Sequence, residues 1–251
     1  MTKDRRYRNP PVVEALCEIY LRDSAWDDTV PGQFYDQVKQ EFPVKRQREI
    51  QEAQISFSTA GEAAAGVRRL PPWVVFVTES ENRMIQLARD LLVVNQLKPY
   101  PHFEDWEPAI YSALEVYREL AKPAAVARLG VRYINRVVVP ERRMRMEDYF
   151  TLYPRLPQEM GDEHGGFLLR VEVPAKSSDH TVFVTFASAP ADNPGETPFL
   201  LDLYNLFQPS EPFALETIQC PVKTAHENII TAFEGGITDA LRTLFRPEEG
   251  A

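Results

Sequence analysis

The stretch Trp73–Leu97, WVVFVTESENRMIQLARDLLVVNQL, decides the fold class. Three runs rich in aliphatic and β-branched residues, Trp73–Thr78, Met84–Ala88 and Leu91–Leu97, are separated by the polar turn Glu79–Asn82 and by the pair Arg89–Asp90. Apolar runs this short, bounded by turn residues, are strands rather than helices. Connections this tight join antiparallel neighbours. The stretch therefore reads as a β-meander.

Working outward, the period changes. Trp106, Ile110, Ala113, Leu114, Tyr117 and Leu120 recur every three or four residues, which predicts an amphipathic helix over Phe103–Ala121, stopped ahead of Pro123. Before the meander, Pro11–Leu21 alternates Val13, Ala15, Cys17, Ile19 and Leu21 with Val12, Glu14, Leu16, Glu18 and Tyr20, the pattern of a strand. Phe34, Tyr35, Val38 and Phe42 share one face of a short helix between Pro31 and Pro43. Gln54–Ser58 reads as a further strand, and Gly61–Gly66 as an Ala/Gly-rich loop or hairpin tip.

Beyond Pro123 the order recurs: a long strand Ala125–Val139 closed by Pro140, a short helix Met146–Leu152, and strands Gly166–Val173, Thr181–Ser188 and Phe199–Phe207. A last helix covers Thr224–Phe245, where Gly235–Gly236 marks a kink or a close helix contact. The expectation is an α+β protein of two similar halves, 1–123 and 124–251, in one compact unit. Each half is an antiparallel sheet, separate or shared, with a long helix packed on it. The repeat is one of architecture, since the halves share no visible residue identity. The opening strands of the two halves are expected near one another, and a cleft between the halves is the default binding site.

Composition narrows the class. The chain has 251 residues, 44% apolar and 26% charged, with a net charge of −9. That is ordinary for a globular protein and gives no general attraction to nucleic acid or anionic membrane. No apolar run approaches the roughly 20 residues that cross a bilayer, and no apolar segment follows the first basic residues as in a secretory signal. The polar ends, Thr2–Arg8 and Pro247–Ala251, are expected to fray. Cys17 and Cys220 are expected as two free, buried thiols of a reducing cytoplasm, although sequence leaves a disulfide open.

The well-marked catalytic motifs are missing: no Walker A loop, dinucleotide fingerprint, H-E-x-x-H, paired C-x-x-C, G-x-S-x-G or EF-hand loop. The four histidines are scattered. Asp162–Glu163–His164 is more simply a polar loop than a metal site, so neither metal nor cofactor is expected. His180 falls in a turn and is expected to be exposed. His226, four residues before Ile230 and seven before Phe233, faces the apolar stripe of the last helix; it is either a satisfied core histidine or a catalytic base.

The constellation richest in chemistry is Arg128–Leu129–Gly130–Val131–Arg132–Tyr133–Ile134–Asn135–Arg136. Alternation puts Arg128, Arg132 and Arg136 on one strand face and Leu129, Val131, Tyr133 and Val137 on the other. Three guanidinium forks in a row would hold phosphate or carboxylate, or single-stranded nucleic acid with Tyr133 or Tyr149 stacking on bases. Alternatively they form an ion-pair network with Glu14 and Glu18 of the first strand, with Asp202 as a further partner. Arg142, Arg143 and Arg145 add a basic run that reads as solvated surface. The candidate ligand-binding residues are Arg128, Arg132, Arg136, Tyr133 and His226.

Four segments together carry a resemblance: Asn9–Ala15, Leu129–Arg136, Gly166–Leu169, and His226–Asn228 with Phe233–Glu234 and Ile237–Thr238. They resemble a sporadically distributed, otherwise uncharacterised bacterial protein family of roughly this length, over nearly the whole chain. The resemblance assigns no activity to any residue. Patchy distribution implies transferred genes such as those of anti-phage defence or toxin–antitoxin systems, and hence an accessory role. The functional expectation is a non-enzymatic, cytoplasmic binding or accessory protein with a protein partner and no membrane association. A nucleic-acid or nucleotide binder using the arginine strand is the first alternative; an unmarked enzyme or small-molecule sensor is the next. Periodicity does not set the oligomeric state.

Overall fold

A computed structural model describes residues 5–57, 63–160, 165–175 and 179–248. The strands are β1 (Val12–Arg22), β2 (Val44–Phe57), β3 (Ala63–Val77), β4 (Arg83–Ala88), β5 (Leu91–Leu97), β6 (Ala125–Val139), β7 (Leu168–Pro174), β8 (His180–Ser188) and β9 (Thr197–Phe207). The helices are α1 (Val30–Val38), α2 (Phe103–Ala121), α3 (Met146–Tyr149), α4 (Gln219–Gly236) and α5 (Asp239–Phe245). All nine strands join one antiparallel sheet in the order β2-β3-β4-β5-β1-β6-β9-β8-β7. The α+β class holds, with a single continuous sheet in place of a sheet for each half. The joint is the β1–β6 ladder, which sets Cys17 opposite Val131 and Glu18 opposite Gly130.

One face of this sheet is helical and apolar. Ala15, Cys17 and Ile19 on β1, Leu129, Val131 and Tyr133 on β6, and Leu201 and Leu203 on β9 are all buried there. Helix α4 packs on β6, β9 and β8, and α2 packs on β5 and α1. Trp106 and Tyr117 of α2 are fully buried; each withdraws roughly 150–250 Å², or about 4–6 kcal/mol of gross transfer free energy. The α2 start is set by Asp105, whose carboxylate accepts the His102 backbone N–H at 3.4 Å. Its end is set by Lys122 in the left-handed region (φ 44) followed by Pro123.

Several elements differ from the sequence reading. The expected helix 224–245 is two: Ile237 is extended (φ −120, ψ 156) and bridges Phe150. The Thr151 N–H bonds the Gly236 carbonyl, and the Thr238 N–H bonds the Tyr149 carbonyl. Two glycines, weak in helix, free this backbone to pair outside it. β2 and β3 are longer than their apolar patterns suggest, and residues 63–66 are strand rather than loop; 58–62 lie outside the described residues. Backbone pairing carries the hairpin past Pro71–Pro72, where the ladder bulges between Arg48–Trp73 and Ile50–Leu70.

Both cysteines are free, but Cys220 is exposed while Cys17 is buried; burial raises the Cys17 thiol pKa. His180 is buried rather than exposed, because it opens β8 on the inner face and its Nδ1 lies 2.7 Å from Asn205 Nδ2. The start of the chain is tied down from Arg6 onward: the Glu248 N–H bonds the Arg6 carbonyl, Tyr7 bridges Pro247 and the Arg8 N–H bonds the Arg246 carbonyl.

Candidate functional site

The five candidate residues lie on opposite faces of the sheet. Arg128, Arg132 and Arg136 project from the open face, and each meets a group of the protein itself. Arg132 Nε and Nη2 donate to Asp202 Oδ1 and Oδ2 at 2.8 and 2.5 Å, a bidentate fork. Arg136 Nη2 donates to Asp192 Oδ2 at 2.5 Å and to the Pro190 carbonyl at 3.2 Å. The Arg128 guanidinium lies 4.1 Å from the centroid of the Tyr20 ring.

Glu14 and Glu18 make no direct ion pair with these arginines among the described residues. Glu14 accepts Asn95 Nδ2 at 2.7 Å, and Asn95 in turn accepts Gln86 Nε2 at 2.9 Å. Glu18 accepts the Tyr204 hydroxyl at 3.4 Å. Burial pushes the Glu18 carboxyl above its ordinary 4.5, against the opposing pull of Tyr204, Arg132 and Arg128.

Tyr133 and His226 come together beneath the helices. Tyr133 points inward from β6 by the same alternation that sends Arg132 outward. Its hydroxyl lies 3.0 Å from His226 Nδ1 and 2.9 Å from the Tyr100 hydroxyl. The His226 ring stacks parallel on Phe103, centroids 3.9 Å apart. These groups wall a pocket of about 80 Å³ bounded by the N-terminal segment, the start of α2, strand β6 and helix α4. The pocket draws its wall from two stretches of the chain, Arg5 to Glu104 and Tyr133 to Glu234.

Sequence reading missed the far end of this pocket. Tyr7 donates to Glu234 Oε1 at 2.6 Å, and Arg242 Nε donates to Glu234 Oε2 at 2.8 Å. The Glu234 side chain is 4% exposed. Burial, followed by the Glu234 contact, drives the Tyr7 pKa up. The available signal was an aromatic residue, Tyr7, inside an otherwise polar N-terminus, and a carboxylate beside Phe233 on the helical stripe.

A second, wider groove of about 880 Å³ is lined by Arg142, Arg143, Arg145 and Arg155, with Glu147 its one lining carboxylate among the described residues. Arg145 pairs with Glu147 at 2.5 Å and Arg155 lies on the Tyr153 ring at 5.1 Å. Arg142 and Arg143 have no ion pair among the described residues. Asp162, Glu163 and His164 lie outside the described residues. Among those described, no group of three or more His, Cys, Asp and Glu could hold a metal, and no helix is long and apolar enough to cross a membrane.

No protein-family model matches the chain, and a search of curated proteins finds no significant match.

Proposed function

We propose that this is a binding protein that takes a small ligand, an apolar body with a polar end, into the pocket between the N-terminal segment, α2 and α4. The two halves of the chain act as two related units that share one sheet and close this site between them. The observation that carries the reading is the chain Tyr100–Tyr133–His226, with contacts of 2.9 and 3.0 Å, set beside the apolar side chains of Phe103, Leu203, Ile229 and Phe233 in a wall that also carries Arg5, Arg6, Glu104 and Glu234. Fixed polar groups converging in an apolar concavity are what orient a small molecule. His226 stacks on Phe103 and bonds to Tyr133, which fixes its ring in the wall. An accessory role beside a protein partner is compatible with such a sensor.

A thermal-shift screen of small amphipathic metabolites, each an apolar body with one polar end, tests this. A true ligand raises the melting temperature of the wild type. Tyr133→Phe loses a hydrogen bond worth about 1 kcal/mol and so weakens binding by roughly five- to tenfold. Equal binding by Tyr133→Phe would remove the site.

A nucleic-acid reading is favoured by one observation: Arg142 and Arg143, on the wider groove, make no ion pair among the described residues. It moves the anion site away from the arginine strand. Arg142→Gln/Arg143→Gln would then weaken binding of a single-stranded oligonucleotide and lower its salt slope by about 0.7 per lost phosphate contact. The triple Gln variant at 128, 132 and 136 would leave that slope unchanged. No binding by the wild type at low salt would end this reading.

A further inference from the structure

Strand β7 ends the sheet, and no strand pairs with its outer side among the described residues. Four large hydrophobic side chains are exposed among the described residues, Leu156, Met160, Leu168 and Val173; two of them are on this strand, at 73% and 48% exposure for Leu168 and Val173. An open edge with exposed apolar residues is a template for another strand.

The direction of its free backbone groups follows from the hairpin with β8. The Ala175 N–H bonds the His180 carbonyl and the Ser188 N–H bonds the Phe167 carbonyl. The residues of odd number therefore bond to β8, and Leu168, Arg170, Glu172 and Pro174 turn their backbone groups outward. Side chains alternate in step with this: Arg170 and Glu172 share the open face, while Leu169, Val171 and Val173 share the helical face.

The sequence Leu168–Leu169–Arg170–Val171–Glu172–Val173–Pro174 is self-complementary about Val171. From this we infer that β7 pairs antiparallel with β7 of a second copy of the chain, on a twofold axis through Val171. In that register Arg170 lies opposite the partner's Glu172, and Leu169 opposite the partner's Val173. Val171 meets the partner's Val171, and the Leu168 N–H reaches the carbonyl of the partner's Pro174. The outward-facing backbone groups of Arg170 and Glu172 fall opposite one another, as an antiparallel ladder requires.

The charges also select this register. A slip by two residues one way sets Arg170 against the partner's Arg170; a slip the other way sets Glu172 against the partner's Glu172. Like charges directly opposed are destabilising. Pro174, lacking an N–H, ends the ladder. The interface is isologous, the usual form for a homodimer.

Sedimentation velocity on the full chain over a range of concentrations tests the inference. The wild type sediments as a concentration-dependent dimer. Arg170→Glu and Glu172→Arg each oppose like charges twice and raise the dimer dissociation constant at least about tenfold. Arg170→Glu/Glu172→Arg recreates the complementary pairs and restores the dimer. As an independent arm, Val171→Cys in a Cys220→Ser background forms an intermolecular disulfide on oxidation, because unbonded cross-strand partners bring their backbones within disulfide range. Leu169→Cys in the same background does not. A wild type that stays monomeric, a dimer indifferent to Arg170→Glu, or a double variant that fails to recover would each overturn the pairing.

Discussion

Replacing Glu234 by alanine probes the clamp that fastens the chain start to α4 and α5 at the end of the pocket. The carboxylate is buried and holds two donors, the Tyr7 hydroxyl at 2.6 Å and Arg242 Nε at 2.8 Å. Without it the Tyr7 hydroxyl loses the partner that compensates its burial, at a cost of about 1–3 kcal/mol. Arg242 is less exposed to loss, because its Nη1 keeps Asp239 at 2.8 Å and its Nη2 keeps the backbone carbonyl of residue 234. The charge is thus not stranded, and the total falls near the lower end of the 3–5 kcal/mol range for breaking a buried pair, about 3 kcal/mol. At about 2–4 °C per kcal/mol for a chain of this size, Glu234→Ala should melt roughly 6–12 °C below the wild type. Urea unfolding followed by circular dichroism gives the free energy directly. Tyr7→Phe should cost about 1 kcal/mol, and a Tyr7→Phe/Glu234→Gln cycle should show coupling of about 0.5–3 kcal/mol. Glu234→Ala costing under about 1 kcal/mol, with additive singles, would refute the clamp as a structural unit.

Three further perturbations follow from the same geometry. The Glu18 carboxyl is raised above 4.5 chiefly by burial, so its favourable contribution exists below that pH and is lost as pH rises through the folded value. Glu18→Gln should therefore stabilise the protein at neutral pH, with the gain vanishing in acid; a gain that does not vary with pH would contradict this. His180 is held below its ordinary 6.5, first by burial and against Asn205 and Asp179. Its contribution is present above pH 6.5 and lost as pH falls through the folded value, so unfolding curves of His180→Gln should flatten the acid limb relative to the wild type. A Cβ at Gly130 would run into the Tyr204 ring, so Gly130→Ala should cost about 1–3 kcal/mol by overpacking, whereas a neutral melt would mean that Tyr204 swings aside freely.

How much of this was legible in the sequence depended on what held each element. The elements α2, β5 and β6 match their sequence patterns end to end: α2 and β6 bury stripes whose period is visible in the residues, and β5 is a short apolar run buried on both faces and bounded by turns. The β2–β3 hairpin was not legible in that way: Lys45–Gln54 is largely polar, and its length is set by backbone pairing that leaves no apolar period. The break after Gly236 was marked by its glycines, but its cause, pairing of Ile237 with Phe150, is a contact between distant segments. The same limit applied to the site. Alternation correctly separated the arginine face from Tyr133, and Asp202, expected as a further partner, meets Arg132; but Asp192, rather than Glu14 or Glu18, meets Arg136. Strand order decides that, and periodicity does not encode strand order. Tyr7 and Glu234 were missed because the polar N-terminus hid a segment held by backbone bonds to Phe245 and Arg246.

The proposed occupant of the pocket at Tyr133 and His226 is a small ligand. This is tested most directly by native mass spectrometry of the protein purified gently from its own host, beside Tyr133→Phe and the triple Gln variant at 128, 132 and 136. A small-molecule adduct should appear on the wild type and the triple variant and be diminished on Tyr133→Phe. An adduct that survives Tyr133→Phe intact but is lost with the three arginines, or a wild type bare in every preparation, would contradict it.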